Sequence, residues 1–112
     1  MNLNKAIVKI LKKINIRNIR IYDTKGYSIL ADYFIVGTAD SIIQLEAVRN
    51  YLIELMERKK IYLRNPLEPW EGGWLALDFQ DIIIHIMLEE LRTFYDIDSL
   101  FENQEFSVEI VE

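Results

Sequence analysis

Cysteine is absent from this chain of 112 residues, histidine occurs once, proline twice and glycine four times, and 13 Lys and Arg stand against 18 Asp and Glu. Without cysteine there is no disulfide framework, no thiol nucleophile and no Cys-based zinc site, a usage that suits a reducing cytosol. Metal chemistry is confined to carboxylates and the single His85. A formal charge of −5 argues against bare nucleic acid as the primary partner, because phosphate binding depends on Lys and Arg neutralising the backbone; no direct nucleic-acid specificity is expected. The acidic balance instead suits docking on a basic protein, where complementary potentials speed encounter and set orientation. Long apolar runs are also missing: nothing approaches the roughly 20 residues that span a bilayer. In the opening "MNLNKAIVKILKKINI" lysines interrupt the apolar residues at helical spacing, which predicts a surface helix rather than a targeting segment. A soluble, cytoplasmic protein with no membrane partner is the expectation.

What is present reads as one compact domain, since 51% hydrophobic residues suffice to build a core at this length. Ile7, Ile10, Leu11 and Ile14 recur on one helical stripe, with Asn4 as the expected cap. "NIRIYD" alternates like a half-buried strand, and Gly26 marks a turn. "DYFIVGTA", from Asp32, is nearly continuous in apolar and β-favouring residues, which predicts a strand covered on both faces. Ser41 and Gln44 form an S-x-x-Q capping box. The helix they open carries Leu45, Val48, Leu52, Leu55 and Met56 inward and ends in the basic run Arg58, Lys59 and Lys60, which complements its dipole. A short strand is expected at Ile61 to Arg64, then an exposed connection to Gly73. "LEELRTFYDIDSLF" predicts a helix with Leu88, Leu91 and Tyr95 on one face and a turn near Asp96 to Ser99. Residues 1–101 are read as the folded domain and 102–112 as an acidic tail, with a short alternating run from Phe106 to Val111. Helices alternating with strands give an α/β class. Its sheet should be mixed, because "WLALDFQDIIIHIM" is a hairpin and hairpins are antiparallel.

That hairpin raises the functional question, because Trp74, Asp78, Asp81 and His85 interrupt its aliphatic residues. With Phe79 and Gln80 as a two-residue loop, Asp78 faces Asp81 and Trp74 faces His85. Alternation then puts Leu75, Leu77, Ile82, Ile84 and Ile86 on a core face, and Trp74, Ala76, Asp78, Asp81, Ile83 and His85 on the other. Like charges set opposite each other oppose pairing by up to about 1 kcal/mol, a cost that a cationic partner would relieve. Trp is also a residue type enriched among interface hot spots, so a docking surface accounts for the pattern. The structural alternatives are turn-forming aspartates bonded to local amides, a satisfied strand histidine and a tryptophan roofing the core. An enzyme reading would have Asp78, Asp81 and His85 hold a divalent metal for nucleotidyl or phosphoryl transfer. No second acidic pair or phosphate-cradling loop accompanies them, and "GTADS" lacks the lysine of a P-loop. Nor does any Ser or Thr have an evident base. No catalytic residue, metal ligand or cofactor is expected.

"DYFIVGTADS" at 32–41, "WLALDFQDIIIHIM" at 74–87 and "RTFYDIDSLF" at 92–101 together resemble the RsfS/Iojap ribosomal silencing factors. The corresponding family pattern is D-Y-F-x-x-x-T-x-x-S, then W-x-x-x-D-x-x-D-x-x-x-H, then R-x-x-Y-x-L-x-x-L-W. The resemblance implies an α/β fold related to nucleotidyltransferases but without their catalytic residues. It further implies a protein that is not an enzyme, binds the large ribosomal subunit through its L-fourteen protein, and blocks joining of the small subunit when nutrients are scarce. Organellar relatives act in ribosome assembly, and homodimers occur in the family. On this reading the partner-binding surface comprises Trp74, Asp78, Asp81 and His85 together with Arg92 and Tyr95. The chain departs from the family at Ile42, Ile43 and Gln44, where many members carry a basic or imidazole residue. Gln80 replaces a frequent Gly, and Phe101 a usual Trp.

Overall fold

The computed structural model describes residues 3–66, 68–102 and 108–111. The elements run α1 (Leu3–Lys13), β1 (Arg17–Asp23), β2 (Tyr33–Ala39), α2 (Ile42–Arg58), β3 (Trp74–Asp78), β4 (Ile82–Leu88), α3 (Glu89–Tyr95), α4 (Ser99–Glu102) and β5 (Val108–Ile110). They form a five-stranded mixed sheet in the order β3-β4-β2-β1-β5. β2 pairs parallel with β4, and the other pairs are antiparallel. The continuous apolar strand is thus the central one, buried from Phe34 to Ala39, as expected of a strand covered on both faces. Within it Gly37 is required by a close approach, since a Cβ there would lie 2.6 Å from Ile16 Cγ2.

Helices α1 and α2 seal one face of the sheet. Ile7 and Leu11 from α1 and Leu45, Val48, Leu52 and Met56 from α2 meet Ile35, Leu75, Leu77, Ile84 and Ile86 in one core. The capping box forms: Ser41 Oγ accepts from the Gln44 amide, and the Gln44 side chain accepts from the Ser41 amide. Its other side-chain group donates to the Ile14 carbonyl at 2.8 Å, which ties the start of α2 to the end of α1. On the opposite face α3 and α4 cover a smaller core of Tyr22, Phe34, Val36, Met87 and Ile97, with Leu91 and Phe101 packed against it.

Three expectations are corrected. Asn4 lies inside the first turn of α1 and is not its cap. No strand forms at Ile61 to Arg64. β3 is an edge strand, and its outer backbone groups are met mainly by a side chain: Asn65 Nδ2 donates to the Ala76 carbonyl and Asn65 Oδ1 accepts from the Asp78 amide, while the Arg64 amide donates to the Asp78 carbonyl. One amide side chain here closes the edge that a further strand would have closed. Third, the hairpin turn is wider than two residues, so Asp78 pairs with Ile83, Leu77 with Ile84, Ala76 with His85 and Trp74 with Met87. Gln80 takes a left-handed φ of 80°, and its amide donates to Asp78 Oδ1 at 2.9 Å. The Asp81 carbonyl accepts from the Asp32 and Tyr33 amides, so Asp81 is committed toward β2 and does not face Asp78. A two-residue shift keeps every side chain on its face; Leu75, Leu77, Ile82, Ile84 and Ile86 are all buried together. At the far edge the tail residues Val108–Ile110 add a strand to β1.

Candidate functional site

Alternation along β3 and β4 sends Trp74, Ala76, Ile83 and His85 to the face that α3 and α4 cover only in part. α3 follows β4 directly, with Glu89 and Glu90 in the first turn complementing its dipole, and its end carries Phe94 and Tyr95 to the rim of this face. The result is a succession of ring contacts across the sheet. Phe94 meets Tyr95 edge-on at 5.0 Å, Tyr95 meets Trp74 at 5.2 Å, and Trp74 meets His85 at 5.8 Å. His85 lies parallel to Phe34 at 6.4 Å, Phe34 meets Phe101 at 4.8 Å, and Phe101 stacks on Tyr22 at 4.6 Å. The inner rings are buried or half-buried, whereas Phe94 and Tyr95 are 78% and 55% exposed.

Trp74 Nε1 donates to His85 Nδ1 at 3.0 Å. An indole N–H only donates, so Nδ1 must be an acceptor and the neutral ring carries its proton on Nε2. Burial pulls the His85 pKa down from 6.5 to about 4, outweighing the opposite pull of Glu68 and Asp78. The imidazole therefore presents no charge at neutral pH.

The other residues singled out from the sequence divide. Asp78 is held in a two-pronged ion pair by Arg64, at 3.0 and 3.1 Å, and accepts from the Gln80 amide, as the turn-former reading expects. Asp81 is exposed at the turn. Arg92 points inward: Nε and Nη2 donate to the two Asp98 oxygens at 2.9 Å each, and Nη1 donates to Thr38 Oγ1 and the Asn18 carbonyl at 2.9 and 2.7 Å. Tyr22 Oη donates to the same Asp98 carboxylate at 2.7 Å. Burial pushes the Asp98 carboxyl up, but its hydrogen bonds from Arg92 and Tyr22 outweigh that and hold it below the usual range. Burial, and then the bond to Asp98, push the Tyr22 hydroxyl up. This network fastens α3 and the turn after it to β1 and β2, so Arg92 fixes where Tyr95 stands. Tyr22, Thr38 and Asp98 were not foreseen. Asp98 comes back to Arg92 through the left-handed Asp96, φ 49°, and no local sequence pattern announces that.

Asp78, Asp81 and His85 do not form a metal cluster. The Asp78 carboxylate is paired with Arg64 and His85 Nδ1 is taken by the indole. Among the described residues no group of three or more His, Asp or Glu is placed to hold an ion.

Comparison with known proteins gives a consistent result. A family model described as "Ribosomal silencing factor during starvation" matches residues 1–112. The chain is 28% identical over 102 residues to a ribosomal silencing factor of Chromobacterium violaceum, covering 91% of this chain and 84% of that one. It is 28% identical over 110 residues to the mouse "Mitochondrial assembly of ribosomal large subunit protein 1" and 29% over 98 residues to the chloroplast Iojap protein of Arabidopsis thaliana. These matches cover 95% and 87% of this chain but only 48% and 40% of those proteins. A crystal structure of a Chromobacterium violaceum protein superposes with a TM-score of 0.81 at 26% identity, over all of this chain and 98% of that one. One from Bacillus halodurans gives 0.75 at 22% identity, covering 88% of this chain and 91% of that one, and speaks for the fold.

Proposed function

The chain belongs to the ribosomal silencing factor family, and from that premise we propose that it binds the large ribosomal subunit through the L-fourteen protein and lowers translation by occupying space that the small subunit needs in order to join. The reading is steric. A small folded body on the joining face need only be present there, so no bond is made or broken and no cofactor enters. The observation that carries it is the exposed end of the ring ladder. Tyr95 and Phe94 project beside the half-buried Trp74, braced from beneath by His85 and from behind by the Arg92–Asp98 pair. Aromatic anchors held rigid in this way lose little side-chain entropy on docking. Exposed carboxylates such as Glu90 and Asp81 would steer the face toward a basic polypeptide. Asp78 and Arg92 serve the face indirectly in this arrangement, by fixing the turn and α3.

The test mixes the purified protein with separated subunits and follows their joining by sedimentation. Saturating protein should leave the subunits apart, and Tyr95→Ala should weaken co-sedimentation with large subunits about tenfold, as expected of a hot-spot anchor, at an unchanged unfolding midpoint. Subunits that join at full efficiency with the protein present would overturn the reading.

A further inference from the structure

The connection between β1 and β2 places large apolar side chains in solvent. Ile29 is fully exposed and Leu30 is 62% exposed, beside Tyr27 at 62%. Isolated exposed apolar residues are ordinary, whereas contiguous apolar patches mark interaction sites. This loop is built. Thr24, itself buried, closes it from both sides: its amide donates to the Asp32 carbonyl at 2.7 Å and its hydroxyl to the Ala31 carbonyl at 2.8 Å, while its own carbonyl accepts from the Tyr27 and Ser28 amides. Gly26 supplies the positive φ of 83°, and the Leu30 amide donates to Ser28 Oγ at 3.0 Å. Ala31, next along the chain, packs in the same small core as Phe34 and Phe101. The loop therefore joins the sheet face that carries the ring ladder.

We propose that Ile29 and Leu30 form a second anchor of the docking face, seated in an apolar recess with a basic rim on the protein that Tyr95 contacts. This rests on the docking reading above. Charge selects the occupant. Asp32 and Asp81 are exposed beside the loop and are joined through their backbones at 2.9 Å. Lys25 donates to the Tyr33 hydroxyl and lies over its ring, one cation among Asp23, Asp32 and Asp81. Carboxylates beside an apolar tip disfavour an RNA backbone or an anionic lipid surface. A polypeptide with Lys or Arg around an apolar recess satisfies both parts.

The experiment measures retention on purified large subunits of the wild type, of Ile29→Ser/Leu30→Ser and of Tyr95→Ala, with unfolding midpoints of each. The loop variant should keep its midpoint and bind about tenfold more weakly, chiefly through faster release. Asp32→Asn should weaken binding less and reduce its sensitivity to salt. Wild-type retention with an unaffected loop variant would overturn this inference and leave the docking reading standing; loss of retention in the wild type itself would overturn the docking reading. Loop-dependent capture by anionic vesicles, or loop-dependent self-association on a sizing column, would assign the tip to another occupant and overturn the proposal.

Discussion

Consecutive residues of β4 point to opposite faces of one sheet, and those faces are built on different rules. Ile84 and Ile86 enter a core sealed by α1 and α2, whose buried side chains are aliphatic apart from Met56 and Phe79. His85, between them, faces a surface of rings, hydrogen bonds and an ion pair, which α3 and α4 roof only in part and which ends in exposed aromatics. An aliphatic face gives most of the burial energy but has no directional groups with which to recognise anything. An aromatic and hydrogen-bonded face stabilises less per residue. It does hold its rings in fixed orientations and can leave an edge of them in solvent. The sheet thus keeps a sealed aliphatic core and a partly open aromatic face apart across the thickness of one strand.

The contrast can be broken most forcefully at Ile84. Ile84→Ala should cost about 3 kcal/mol through lost burial and a cavity that the sealed face cannot close, whereas Ile83→Ala, on the half-roofed side, should cost roughly 1. Urea titrations of the two variants check this, and equal losses would mean that the faces are energetically alike. Next comes Arg92→Ala, which removes the forked bonds to Asp98 and leaves it the Tyr22 hydroxyl and the nearby Arg20 charge; it should cost roughly 2–3 kcal/mol while displacing Tyr95. Because the folded Asp98 pKa is depressed, the stability this pair contributes is present above about pH 4 and is lost as pH falls below that. The variant should lack that component of acid sensitivity, and Arg92→Lys should restore it only in part, since an ammonium cannot reproduce the fork. The smallest effect concerns His85. Its pKa is about 4 folded against 6.5 when unperturbed, so between those values the unfolded chain binds a proton that the folded chain refuses, and stability falls as pH drops through that window. Roughly 1 kcal/mol should be lost between pH 7.5 and 5.5. His85→Phe should flatten that slope, and a slope identical to that of the wild type would place the imidazole in water.

The faces of the hairpin were legible because side-chain alternation survives a two-residue error in register. Its turn was not, because Gln80 occupies a left-handed position that ordinarily calls for Gly or Asn, and the bond from its amide to Asp78 helps to hold it there. Arg92 was picked out with Tyr95 for the docking surface, and in the structure its guanidinium is bonded inward. Its partners lie on β1, β2 and a turn six residues further on, and only the packed fold brings those groups together. The apolar loop tip gave no signal beyond Gly26, since whether Ile29 and Leu30 are core or surface depends on how Thr24 closes the loop.

Local physics alone set the helix opened by Ser41 and Gln44, the central strand, the mixed class of the sheet and the division of β3 and β4 into two unlike faces, because each follows from spacing along the chain. Where Arg92 would spend its hydrogen bonds, and which rings and loop residues would remain in solvent, were decided only when distant segments met. Burial and hydrogen-bond partnership are properties of neighbours, and most of those neighbours are far away in sequence.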